Sequence, residues 1–180
     1  MKKVLLPLLL ASGFLSAQKF EVSASYGAPS VYDATYELAS AITTSIITNE
    51  SNPASTGVAA IGVAMYSENM KWRYGADVAN EFFNTTESIS KQNILSVLPK
   101  VDYFWLRKEK LGLYSGAAVG VTFISSTYVN KDKKETKNTD TVFGFNILPI
   151  GIRYGGDLSV FLEANIGMKG IAQGGVSYRF

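Results

Sequence analysis

Apolar side chains recur at every second position from Lys19 to Phe180, in segment after segment, and each segment stops at a turn signal. That period fits strands, whose side chains alternate sides, and not helices, whose faces repeat every three or four residues. The last segment, 170–180, shows it plainly. Phe180, Tyr178, Val176, Gly174 and Ala172 share one face, and Arg179, Ser177, Gly175 and Gln173 share the other. An alternating strand that ends on an aromatic residue gains little in water, where termini fray. It suits a strand whose outward face meets lipid.

The alternation predicts eight strands, at 19–27, 57–66, 71–80, 92–106, 111–125, 141–155, 158–167 and 170–180. Long connections at 29–56, 81–91 and 126–140 alternate with tight turns at 67–70, 107–110 and 155–157; a brief loop at 168–170 precedes the last strand. Long loops at one end and short turns at the other are the habit of membrane barrels. Within 29–56, Leu38, Ile42 and Ile46 recur every fourth residue and predict a short amphipathic helix. The sixth strand changes phase. Phe143, Phe145 and Ile147 are odd-numbered, whereas Ile150, Ile152 and Tyr154 are even-numbered. One extra residue at Leu148-Pro149, a β-bulge, keeps all six on the lipid face and leaves Asn146 and Arg153 inward. Phe20, Trp72, Tyr103, Trp105, Tyr154, Tyr178 and Phe180 fall at the tight-turn ends of apolar faces, where an aromatic girdle belongs.

On Val176, Tyr178 and Phe180 the chain resembles the outer membrane protein β-barrel family, the small OmpA-like and OmpX-like barrels of Gram-negative bacteria. The resemblance implies an all-β fold, an eight-stranded antiparallel transmembrane up-and-down β-barrel over 18–180, in the cell outer membrane. It implies that Val176, Tyr178 and Phe180 form a C-terminal signal read by the barrel assembly machinery. The implied partners are the lipid bilayer and lipopolysaccharide, with extracellular ligands reached through loops 29–56, 81–91 and 126–140. No nucleic acid is expected.

The faces opposite the apolar ones carry charge: Glu21, Asp77, Asp102 and Glu163 against Lys71, Arg73, Lys100 and Arg153, with Arg179 near the mouth. Tight turns predict partners across the ladders. Arg73 should face Ala64, Asp77 Ala60, Lys100 Ala118, Asp102 Gly116 and Glu163 Gly175. Each long side chain then lies beside a small one, as the narrow interior of an eight-stranded barrel needs. Buried charges persist when paired and hydrogen-bonded. The expected lumen network is therefore Glu21, Arg73, Asp77, Lys100, Asp102, Arg153 and Glu163, filling the bore.

The N-terminal segment 1–17 reads as an export signal. Lys2 and Lys3 precede an apolar run from Val4 to Leu10, and Ala17 is a small residue at the expected cut before Gln18. The run is too short to span a bilayer as a helix, which needs roughly 20 apolar residues. The chain has 180 residues, no Cys and no His, with a net charge of +2. That composition excludes thiol and histidine chemistry, and with it the histidine-dependent hydrolases found among outer-membrane barrels. The charge points to no polyanion. No catalytic residue, cofactor or metal site is expected. The function read from the sequence is a structural or surface-interaction barrel at the cell surface, serving membrane integrity or adhesion. The alternatives are a small ligand-binding or weakly conducting porin-like barrel, or a soluble lipocalin-like binder.

Overall fold

The computed structural model describes residues 19–30, 54–84, 89–129 and 135–180. The expected export signal and the expected helix at Leu38–Ile46 lie outside them. Eight antiparallel strands form a closed barrel: β1 (Phe20–Gly27), β2 (Ser55–Tyr66), β3 (Trp72–Phe83), β4 (Ile89–Arg107), β5 (Leu111–Val129), β6 (Glu135–Gly155), β7 (Leu158–Gly167) and β8 (Ala172–Arg179). Each strand pairs with its sequence neighbours, and β8 closes on β1 from Glu21↔Arg179 to Gly27↔Gln173. Phe20 and Phe180 finish the seam. Each donates its N–H to the other's carbonyl, at 3.0 and 2.9 Å, and their rings stack 6.5 Å apart.

Alternation sorts the side chains into two media. Along β7 exposed and buried residues alternate without a break. Outward side chains such as Phe143, Leu158 and Leu162 are 70%, 69% and 66% exposed, whereas inward Arg73 and Asp77 are 3% and 2% exposed. Trp72 packs on Tyr103 at 4.8 Å, and Tyr178 lies 6.0 Å from Phe180. With Trp105 and Tyr154, also outward and exposed, they form an aromatic belt at the tight-turn end.

The β-bulge expected in β6 is present. The register shifts between Ile147 and Ile150 on the β7 side, and between Tyr114 and Gly116 on the β5 side. Phe145 and Ile147 before the bulge and Ile150 and Ile152 after it all remain outward, while Asn146 and Arg153 are both buried. The Pro149 carbonyl, freed from the ladder, accepts the Ser115 hydroxyl at 2.6 Å.

Two long connections are shorter than expected. β3 continues to Phe83 and β4 begins at Ile89. The β5–β6 ladder runs unbroken from Phe123↔Thr141 to Val129↔Glu135, so most of 126–140 is strand. Apolar alternation fades there because both faces are polar. Thr favours extended backbone all the same, and the Ser125 and Thr139 hydroxyls bond across the ladder at 3.1 Å. Because β6 pairs with β7 only from Asn146 onward, β4, β5 and β6 stand taller than the remaining wall among the described residues.

Two hairpin registers differ from expectation by two residues. Arg73 stands opposite Tyr66, not Ala64, and Asp77 opposite Gly62, not Ala60. The connection takes in Lys71, because the Asn69 side chain accepts its N–H at 3.0 Å and Met70 turns through a left-handed φ of 59°. Glu163 stands opposite Gln173, and Gly175 meets Phe161 instead. A slip of two preserves every face, since the side-chain period is two. Lys100↔Ala118 and Asp102↔Gly116 are as expected.

Candidate functional site

The charged interior is built by five strands and one turn. Arg73, on β3, lies at its centre. Its Nη1 is 2.7 Å from Glu21 Oε1 on β1. Its Nε and Nη2 both reach Asp102 Oδ2 on β4, at 2.8 Å each. Its guanidinium carbon lies 4.6 Å from the Tyr114 ring centre and 5.4 Å from that of Phe104. Glu21 Oε2 accepts Arg153 Nη2 at 3.0 Å and the Tyr66 hydroxyl at 2.8 Å. Arg153 also donates to Ser159 Oγ at 2.6 Å. Charge, hydrogen bonds and aromatic faces together replace the water these groups lost.

A second cluster lies nearer the tall-strand end. Asp77 takes Lys100 Nζ at 2.7 Å on one oxygen and Lys169 Nζ at 2.6 Å on the other. Glu163 joins the clusters. Its Oε2 is 3.1 Å from Lys169 Nζ, and its Oε1 accepts the Tyr114 hydroxyl at 2.8 Å and lies 3.8 Å from Arg73 Nη2. The chain of ion pairs thus runs from Arg153 through Glu21, Arg73, Glu163, Lys169 and Asp77 to Lys100. Small residues clear space for it. A Cβ at Gly62 would collide with Asp77 Oδ1 and Ser23 Oγ, and one at Gly116 with Asp102 Oδ1.

All the interior charges expected from the strands, Glu21, Arg73, Asp77, Lys100, Asp102, Arg153 and Glu163, sit in these contacts. Lys71 does not: it is exposed in the β2–β3 connection. Arg179 stays at the mouth, 3.1 Å from Asp157. Val176, Tyr178 and Phe180 are outward and more than half exposed. Val176 and Tyr178 stand opposite Val160 and Leu158 on β7.

No protein-family model matches this chain, and no curated protein matches it. Among solved structures it is similar to the crystal structure of Neisserial surface protein A, at 11% identity and a TM-score of 0.49, over 91% of this chain and 95% of that one.

Sequence reasoning missed several interior residues that shape this site. Lys169 lies between β7 and β8 and is only 5% exposed. Its backbone is fixed by Asn146 Oδ1, which accepts the Lys169 N–H at 3.2 Å, and by Gln173, which donates to the Lys169 carbonyl at 2.8 Å. Glu81 falls within the connection expected at 81–91. It is buried on β3 and accepts the Ser30 N–H, the Ser30 hydroxyl and the Ser55 hydroxyl at 2.8, 2.6 and 2.8 Å. Its odd number, in phase with Arg73 and Asp77, was the available signal. Tyr66 and Tyr114 are wholly buried and form an apolar floor with Phe104 and Leu148. Their parity pointed inward too, though their residue type suggested the membrane belt.

Chemically, each interior carboxylate meets at least one buried cation or hydroxyl. Among the described residues no group of three His, Cys, Asp or Glu side chains is arranged to hold a metal ion.

Proposed function

We propose that this protein is a small integral outer-membrane β-barrel with a structural or surface-interaction role, its bore closed by its own ion pairs. One observation supports this above all: large apolar side chains cover the outside, while charged groups are buried inside. A barrel bathed in water would expose an adhesive apolar surface far larger than soluble monomers tolerate. In a bilayer the same surface is solvated by lipid, and the closed ladder leaves no strand edge unpaired at membrane depth. A soluble lipocalin-like binder would need the opposite partition, with an apolar cavity inside.

In this reading the tight turns face the periplasm and the tall β4–β5–β6 sheet rises from the cell surface. The surface partners would be met there, by 29–56 and by the tips of the β3–β4 and β5–β6 hairpins. Lipopolysaccharide would surround the outer half of the barrel, and the assembly machinery would engage Val176, Tyr178 and Phe180 during insertion. No catalytic step is assigned to the interior carboxylates, which are engaged in ion pairs with buried cations.

Cell fractionation and gel migration test the reading together. The protein should be found in outer-membrane fractions and should run faster unboiled than boiled in detergent. Recovery as a soluble periplasmic protein, with no heat-dependent shift, would overturn it.

A further inference from the structure

The barrel end that carries the tight turns has a cavity of about 270 Å³. Its lining includes six cations, Lys19, Arg107, Lys108, Lys110, Arg153 and Arg179, and one carboxylate, Glu109. Two of the cations are matched elsewhere, Arg153 by Glu21 and Arg179 by Asp157. The other four make no ion pair among the described residues. This differs from the interior just above, where every cation meets a carboxylate.

Arg107 is the most informative of the four. It is half-buried, and its guanidinium carbon lies 5.0 Å from the Tyr66 ring centre and 5.1 Å from that of Phe104. Nη1 donates to the Met70 carbonyl at 2.8 Å. The side chain is therefore held in one place by two rings and a carbonyl, and its remaining donors have no protein acceptor among the described residues. The short β4–β5 turn, closed by Lys108 N–H to the Leu111 carbonyl at 2.8 Å, sets Lys108 and Lys110 beside it. The β1–β8 seam brings Lys19 to the rim. Like charges gathered this closely repel unless a counter-charge joins them.

We infer that this cavity is an anion site that takes a phosphate group. A guanidinium fork with flanking ammonium groups matches the several acceptor oxygens of phosphate better than the single charge of a carboxylate. The volume admits a small headgroup rather than a drug-sized molecule. Two sources carry this chemistry, a free phosphate and an anionic phospholipid headgroup. The site belongs to the turn end of the barrel and stands whether or not the barrel lies in the outer membrane.

The test uses the purified, folded protein in nonionic detergent, titrated calorimetrically with inorganic phosphate against chloride of equal ionic strength. A parallel arm uses native mass spectrometry from nanodiscs of phosphatidylcholine with and without phosphatidylglycerol. Saturable binding in the first arm identifies free phosphate; selective retention of phosphatidylglycerol alone identifies the headgroup. In either case Arg107→Gln should weaken binding about tenfold or more, the scale of one lost charged hydrogen bond. The Lys108→Gln/Lys110→Gln double variant, altered only in the exposed turn, should weaken it severalfold and folds whether or not Arg107→Gln does. Binding in neither arm would overturn the inference. So would binding that the lysine double variant leaves at the wild-type level.

Discussion

Arg73 joins three strands through one side chain, so its loss should be felt beyond its own position. Arg73→Met would leave Glu21 and Asp102 buried without their central cation. Breaking a buried pair from one side costs roughly 3–5 kcal/mol. A lowered urea midpoint in lipid vesicles, with the slope unchanged, is the expected reading; adding Asp102→Leu should restore part of the loss. Gly116→Val should fail to fold, since its branched side chain would occupy the place of the Asp102 carboxylate. At the seam, deleting Phe180 removes two backbone hydrogen bonds and a stacked ring. Folded yield in cells should fall, measured as the heat-modifiable fraction in outer membranes. At this scale parity was a sound guide. Glu21, Asp77 and Glu163 could be placed inward because each lies in phase with small or polar neighbours on a strand. Lys169 could not, because no periodicity governs a turn, and its direction depends on Asn146 and Gln173 from elsewhere in the chain.

The elements separate into those whose ends were legible and those whose ends were not. β7 was read to the residue because its alternation begins and stops at tight turns. The far ends of β5 and β6, 126–129 and 135–140, are hidden in the sequence, since strands solvated on both faces need no apolar phase. That part of the hairpin makes no contact with the interior network. Joining Ser125 directly to Thr139 should therefore leave the barrel folded, with stability changed by about 1 kcal/mol or less; unfolding titrations check this. The bulge in β6 is less forgiving. Deleting Pro149 removes the extra residue and forces either Phe145 and Ile147 or Ile150 and Ile152 into the charged interior. The heat-modifiable form should disappear. Pro149→Ala keeps the residue count and should retain it, and cold gel electrophoresis of the two variants side by side decides the matter.

For the molecule as a whole, the eight-strand count, the up-and-down order and the inside-out polarity were all legible, because a period of two and short turns leave little topological choice. The ion pairs were legible only as a list of participants, since their partners depend on side-chain reach across a bore that no single ladder describes. That bore should pass little current. Planar-bilayer recordings should show no large, stable open state, and Arg73→Ala, which removes the central side chain from the bore, is the variant most expected to leak. Lys169 adds a consequence in time. It sits near the end of the chain, yet its ammonium meets Asp77 on β3. The two can touch only once the ring is complete, so this contact belongs to the last moments of assembly and the first of disassembly. Interactions absent from the transition state govern escape and not arrival. Lys169→Met should therefore fold into vesicles at nearly the wild-type rate, yet unfold roughly tenfold faster or more: a barrel as quick to close and much quicker to open.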